Sequence, residues 1–252
     1  MRILRYTAAL ALLAGTAPLS AQQADSLPPP GPSRHFVGGS VLVAQPQGEF
    51  RENVDIGAGL SANYLLRIDD AGIFALRVDG GLLIYGNEHK RVPFSNTVGG
   101  RVLVDVNTTN SILTLGIGPQ IMAPTGRLRP YLNATAGLAY FVTQSSVEGT
   151  SDNRTIANTT NYDDASFAYG AGAGIYVPLR RGPAPISLDA GVRYSRNGRA
   201  RYLREGSIRD NPDSSITITP LESQTDLLTF HVGVSVGLPG ARARTSQSDP
   251  TP

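Results

Sequence analysis

The sequence predicts an all-β protein, a closed antiparallel up-and-down transmembrane β-barrel with eight strands. Three observations lead to this prediction: an export signal at the N-terminus, a composition rich in turn residues, and strand-length segments in which apolar and polar residues alternate. The 252-residue chain contains 28 glycines, 18 prolines and no cysteine. This composition favours many turns and excludes both a disulfide framework and a thiolate metal site.

The N-terminus has the pattern of a secretory signal peptide over residues 1–21. Arg2 and Arg5 precede the apolar run 8–14, and small residues follow up to Ala21. The run is far shorter than the roughly 20 apolar residues of a membrane-spanning helix, so we expect cleavage after Ala21 and export. The Pro-rich segment 22–34 is then expected to be a periplasmic leader.

The segment 228–238 has the clearest strand pattern. Its apolar residues, from Leu228 to Leu238, alternate without interruption with small or polar residues. A two-residue period separates an apolar face from a polar face. The segment has 11 residues. At about 3.3 Å per residue and a tilt of roughly 45°, it spans about 25 Å, the height of the apolar band of an outer-membrane barrel.

Seven further segments are predicted to complete a barrel over residues 35–238. They are 35–44, 54–66, 74–84, 97–122, 130–143, 166–179 and 186–196. Outer-membrane barrels have short periplasmic turns and longer external loops. The polar segments 86–96, 144–164 and 205–224 are therefore expected to be external loops, and both chain ends are expected to face the periplasm.

The segment 97–107 determines the predicted number of strands. It also alternates, and as a separate spanning strand it would make the number odd, whereas bacterial single-chain barrels have an even number. We therefore interpret 97–122 as one long strand with an extracellular arm, or 97–107 as part of an extramembrane hairpin. Ten strands are the alternative, if this arm and a second one near 200–219 both cross the membrane.

Four segments rich in glycine and aromatic residues carry a family resemblance. They are Gly116–Gln120, Arg129–Gly137, Tyr169–Gly174 and Asp189–Tyr194. With them, the chain resembles the small outer-membrane β-barrels that include the opacity proteins and the OmpA-like transmembrane domain. The resemblance implies the architecture rather than an activity. Two features depart from the family: the chain has no tryptophan for aromatic girdles, and a non-aromatic segment, 239–252, follows the last strand as an expected flexible periplasmic tail.

Five titratable residues on the polar faces are the candidate lumen charge network. They are Arg77, Asp79, Asp189, Arg193 and His231. Side chains can fill the interior of an eight-stranded barrel, and a buried charge must be paired. The two arginines are therefore expected to pair with the two aspartates and to fill the lumen. The alternative is a narrow ion path whose selectivity these charges tune.

No catalytic residue, metal site or cofactor is predicted. His231 and Ser235 could suggest a base and a nucleophile, but four residues along one strand separate them by roughly 13 Å, beyond hydrogen-bond reach. The acidic residues of 144–164 lack the spacing of calcium ligands. The net charge of +2 and the scattered basic residues give no indication of nucleic-acid binding.

The expected function is that of a monomeric, non-enzymatic protein of the bacterial outer membrane, which contributes to envelope integrity, surface interaction or limited solute passage. Expected partners are outer-membrane lipid, lipopolysaccharide and the barrel-insertion machinery. One alternative is a secreted soluble barrel that binds an apolar ligand inside, with its charges turned outward. A less favoured alternative is a barrel enzyme that acts on outer-membrane lipid.

Overall fold

The computed structural model describes residues 33–93, 103–149, 155–211 and 216–239. The predicted signal peptide, nearly all of the predicted leader and nearly all of the predicted tail lie outside the described residues and stay predictions. Within the described ranges, no helix has the length and apolar character that crossing a membrane requires.

Eight antiparallel strands close into a barrel, which confirms the predicted fold. They are β1 (His35–Pro46), β2 (Gly57–Arg67), β3 (Phe74–Pro93), β4 (Leu103–Met122), β5 (Arg129–Gly149), β6 (Thr155–Arg180), β7 (Ile186–Asn197) and β12 (Leu227–Leu238). Neighbours in this order pair with one another, and β12 pairs with β1 to close the ring, with His35 opposite Leu238. Closure leaves no strand edge unpaired at membrane depth, where each unsatisfied amide would cost several kcal/mol.

The outer surface of the barrel is apolar. Val232 is 52% exposed and lies opposite Val41 of β1, which is 61% exposed. Other large apolar side chains that point outward are Leu60, Leu82, Leu115, Leu132, Leu138, Phe167 and Phe230. A soluble barrel would turn these side chains inward, so that alternative is wrong.

Strands β3, β5 and β6 are longer on the external side than the sequence predicts. β3 continues to Pro93, and β5 and β6 occupy most of the predicted loop 144–164. The predicted arm of β4 is continuous with its membrane part from Leu103 onward. The loop predictions for 86–96 and 144–164 are wrong over these parts. Neither segment has an apolar period, but both pair with neighbouring strands, and the β5–β6 ladder contains bulges at Ile156 and Asn161.

The connection between β7 and β12 contains four short strands. They are β8 (Arg199–Tyr202), β9 (Ile208–Asp210), β10 (Ile216–Ile218) and β11 (Leu221–Gln224). β8 pairs with β11, and β9 with β10, in two sheets outside the barrel. The described residues of 200–219 therefore do not cross the membrane, and the ten-strand alternative is wrong. A short 3-10 helix, Gly48–Glu52, precedes β2, which begins at Gly57 rather than at the predicted residue 54.

Candidate functional site

Two arginines and one aspartate form the centre of the lumen. Arg77 Nε donates to Asp79 Oδ1 at 2.7 Å, and Arg193 Nη2 donates to Asp79 Oδ2 at 2.8 Å. Arg77 also donates to Gln120 Oε1 at 3.0 Å, and Arg193 to Asn133 Oδ1 at 3.4 Å. Arg77 is only 3% exposed, so its charge requires a partner. One carboxylate thus binds two guanidinium groups that come from opposite sides of the barrel.

Asp189 belongs to a second polar group in the lumen. The Tyr131 hydroxyl donates to Asp189 Oδ1 at 2.8 Å and lies 3.1 Å from His231 Nε2. The same His231 nitrogen lies 3.6 Å from Asp189 Oδ1. The expected pairing of the arginines with Asp189 is therefore wrong. Asp189 and Arg193 are four residues apart on β7, roughly 13 Å along the strand, so they lie at different depths of the barrel.

Glycines in β6 and β7 make room for the side chain of Tyr131. Across the sheet, Tyr131 lies opposite Gly174, and Gly174 lies opposite Gly191. A Cβ atom at Gly191 would lie 3.0 Å from the Tyr131 hydroxyl and 2.8 Å from His231 Cε1. The Tyr131 ring can reach His231 only because both intervening positions lack side chains.

The external mouth is closed by an apolar group that we call the external plug, formed by Phe50, Tyr85, Ile112, Phe141 and Tyr202. All five side chains are buried. Phe50, from the 3-10 helix, packs edge-to-face on Tyr202 of β8 with ring centroids 5.0 Å apart. The Tyr85 hydroxyl donates to the Leu203 carbonyl at 3.1 Å. Segments from the β1–β2 and β7–β12 connections therefore hold the plug in the mouth.

The periplasmic end of the lumen is also apolar. Phe36, Leu65, Ala75, Met122, Tyr131 and Tyr176 form a buried cluster there. The Tyr131 and Tyr176 rings lie 4.7 Å apart, and the Arg67 guanidinium covers the Phe36 ring at 4.5 Å. Between the external plug and the arginine pairs is a cavity of about 110 Å³, with hydroxyls of Thr114 and Thr229 in its wall. At about 30 Å³ per molecule, this volume corresponds to only a few waters.

Beyond the barrel rim, four strands continue as a sheet that we call the external sheet. It comprises 86–93 of β3, 103–110 of β4, 143–149 of β5 and 155–162 of β6. It stands clear of the other barrel strands, because the β2–β3 ladder ends at Ala58 opposite Ile84 and the β6–β7 ladder begins at Ala168 opposite Asn197. The sheet therefore projects from one side of the mouth.

Polar contacts hold the external sheet and join it to the β7–β12 connection. Arg91 Nε donates to Asp105 Oδ1 at 2.8 Å. This hydrogen bond lowers the pKa of Asp105 below its ordinary value. Lys90 Nζ donates to the Ile208 carbonyl at 3.3 Å, and the Gly206 amide donates to Glu88 Oε2 at 3.2 Å.

Aromatic side chains mark the external boundary of the apolar band. Tyr140, Phe167, Tyr169 and Tyr194 all point outward at this level. The Tyr140 hydroxyl donates to Asp163, and that of Tyr194 to Asp226, each at 2.8 Å. Aromatic girdles of this kind flank the lipid-facing band of outer-membrane barrels. Residues 7–236 match the family described as the outer membrane protein beta-barrel domain. The chain belongs to this family.

Membership of the outer membrane protein beta-barrel domain family places the chain with proteins of the bacterial outer membrane. Two solved structures have similar folds. Neisserial surface protein A is 16% identical, with a TM-score of 0.45, and the match covers 82% of this chain and 99% of that one. Ail, the attachment invasion locus protein of Yersinia pestis, is 11% identical, with a TM-score of 0.39 and the same two coverages. No curated protein matches the chain.

The five predicted lumen residues all contribute to the lumen of this family member, but other lumen residues were not predicted. Tyr131, Phe50 and Tyr202 were missed. The single aromatic residue in the polar segment 45–53 was a signal for Phe50, because an aromatic side chain there needs a place to be buried. Within the described residues, no group of three or more acidic or histidine side chains is placed to hold a metal ion.

Proposed function

We propose that the protein is a non-conducting, non-enzymatic outer-membrane barrel that acts through its external surface. One observation carries this proposal: the lumen is filled at three levels, while four strands continue beyond the apolar band. A barrel that served passage would need a continuous polar path. Here apolar side chains close both ends of the lumen. Between the two ends, the carboxylate of Asp79 binds arginines from opposite sides of the barrel.

Burial argues against catalysis in the lumen. Tyr131, Asp189 and His231 form the constellation closest to a catalytic one, since a carboxylate and an imidazole flank a hydroxyl. However, Asp189 is 1% exposed and Tyr131 is 3% exposed, and the external plug lies between them and the cell exterior. A substrate would have no route to these groups, so we assign them a structural role in holding β5, β7 and β12 together.

Integration in the envelope is part of the same proposal. The apolar outer surface fits the acyl chains of outer-membrane lipid, and the polar groups at the external boundary fit lipopolysaccharide. We infer export through a cleaved signal peptide over residues 1–21 and assembly by the barrel-insertion machinery. The ring closes within one chain, so one copy suffices to form the barrel.

Single-channel recording tests the closed state. The full-length protein in planar bilayers is expected to give no current steps. The double variant Arg77→Gln/Arg193→Gln is expected to stay silent as well, because the external plug remains. Reproducible steps from the unmodified protein would overturn the proposal.

A second candidate function is limited solute passage, and the cavity of about 110 Å³ between two closures favours it. Closures in series predict that neither Phe50→Ala/Tyr202→Ala nor the arginine variant conducts alone. The combined quadruple variant would conduct only when Tyr131→Ala/Tyr176→Ala is added, because the periplasmic cluster is a third closure. If the arginine variant alone raised conductance, the charges would be the only barrier and the protein would be a charge-plugged channel.

A further inference from the structure

The external sheet has two strand edges that pair with no other strand of the described residues. One is 86–93 of β3 and the other is 155–162 of β6. Nearer the membrane, the β6 edge is covered, since the Arg201 amide of β8 donates to Asp164 Oδ2 at 2.7 Å. An unpaired edge presents amide and carbonyl groups to which another strand can bind.

The two edges differ in how they are protected. Residues 86–93 read GNEHKRVP, with charged residues in the middle and a proline at the end. The contacts of Glu88 and Lys90 with the β7–β12 connection also cover this edge. Residues 155–162 read TIANTTNY, without a charge, a proline or a glycine, and Asn158, Thr159 and Thr160 are exposed. Charges and proline are the usual means of blocking strand addition, and the β6 edge has neither. Its pairing with β5 shifts register at Ile156 and Asn161, and the residues between these two bulges, Ala157–Thr160, are the open part of the edge.

We propose that the β6 edge is a strand-addition site whose occupant is the same edge of a second copy, embedded in an apposed membrane. The inference rests on the proposed surface role and names its partner. An edge without charges can pair with itself without placing like charges opposite one another. Antiparallel pairing centred on Thr159 would place Asn158 of each copy opposite Thr160 of the other. Thr159 of one copy would lie opposite Thr159 of the other, and Thr–Thr cross-strand pairs are favourable.

Chain direction selects an apposed membrane over a shared one. In two copies within one membrane, β6 runs from the cell exterior towards the periplasm in both, so their edges would be parallel. A two-fold axis between parallel strands would also bring amide opposite amide. In two membranes that face each other the strands run in opposite directions, which gives the antiparallel, self-complementary arrangement of a two-fold interface. The contact would therefore link cells rather than form dimers within a membrane.

Vesicle clustering tests this inference. The full-length protein is reconstituted into phosphatidylcholine vesicles carrying a donor or an acceptor dye, and protease digestion of the external loops confirms its orientation. The unmodified protein is expected to cluster the vesicles. Asn158→Lys/Thr160→Lys and Asn158→Glu/Thr160→Glu should each reduce clustering by roughly tenfold, because two like-charge pairs then face each other. Mixing lysine-variant vesicles with glutamate-variant vesicles should restore clustering.

The matched control is Asn87→Lys on the β3 edge, which should cluster like the unmodified protein. Rescue on mixing excludes misfolding as the cause of the loss. The inference is overturned if the unmodified protein does not cluster vesicles. Binding of an extended peptide from another protein, without vesicle clustering, would overturn it as well. It is also overturned if both charged variants cluster normally. Current steps from the same preparation would overturn the closed barrel without affecting the edge contact, so the two failures can be distinguished.

Discussion

Strand β4 passes from the membrane-embedded barrel into the external sheet, and the face that carries its apolar side chains changes between the two. In the barrel, its outward residues Leu113, Leu115 and Ile117 are apolar and about half exposed. In the external sheet, the apolar residue Val104 lies on the opposite, inward face and is buried, whereas Asp105 points outward and binds Arg91. In the barrel, the outer face contacts lipid and is therefore apolar. In the external sheet, the outer face contacts water, so apolar side chains are buried on the inner face. The phase of the alternation therefore changes at the membrane boundary, although the strand itself does not end there.

The largest expected difference between the two regions concerns their ion pairs. Asp79→Ala leaves Arg77 and Arg193 without their shared partner inside the barrel, and should lower the free energy of unfolding by about 3 to 5 kcal/mol. Asp105→Ala leaves only Arg91 without its partner, and because the Arg91 side chain is 57% exposed, water solvates its charge and stability should change far less. Urea unfolding in lipid vesicles, followed by circular dichroism, measures both. Equal losses from the two variants would contradict the distinction between the regions.

The second largest difference between the two regions should be their tolerance of a charge introduced on the outer surface. Val232→Arg places a guanidinium at mid-strand in lipid, which should cost about 2 to 4 kcal/mol and impair assembly. Thr109→Arg places the same group on the outer face of the external sheet, where water solvates it, and should be tolerated. The fraction of folded protein on unheated gels measures assembly. If Val232→Arg assembled as well as Thr109→Arg, the lipid-facing assignment of β12 would fail.

Acidification should loosen the external sheet, and this is the smallest of the expected effects. The pKa of Asp105 is lowered in the folded state by its hydrogen bond with Arg91, so this contribution is present above the unfolded pKa near 4. It is lost as the pH falls through the lower, folded pKa. The protection factors of amides in 103–110, corrected for intrinsic exchange, should therefore fall below about pH 4. Asp105→Asn should remove this pH dependence, and its persistence in that variant would assign it to another group.

The sequence predicted the embedded region well because lipid imposes a simple rule on it. The two-residue period of β12 required an apolar outer face, and the opposite phase placed Arg77, Asp79 and His231 in the lumen. The pairing within the lumen could not be predicted in the same way. Whether Arg193 binds Asp79 or Asp189 depends on the stagger of the strands, which follows from the register of all eight strands rather than from any one segment.

The external sheet was harder to predict, because its strands have no continuous apolar face. Polar alternation in water resembles a loop in composition, and only the ladder with β5, which contains two bulges, shows that Thr155–Tyr162 is extended. The external plug was missed for a related reason. Phe50 and Tyr202 are about 150 residues apart in the chain and meet only once the barrel has brought the β1–β2 and β7–β12 connections over the mouth.

The ladder between β1 and β12 joins the two ends of the described chain, whereas β3–β4 and β5–β6 are hairpins whose partners are close in sequence. Loop closure costs more entropy as the intervening chain lengthens, so the hairpins can form early and the β1–β12 seam requires the largest ordering of the chain. The external sheet lengthens these hairpins and has no counterpart at the seam. Its local ladders therefore stabilise the half of the barrel that can assemble first, and the seam is the line along which the ring closes.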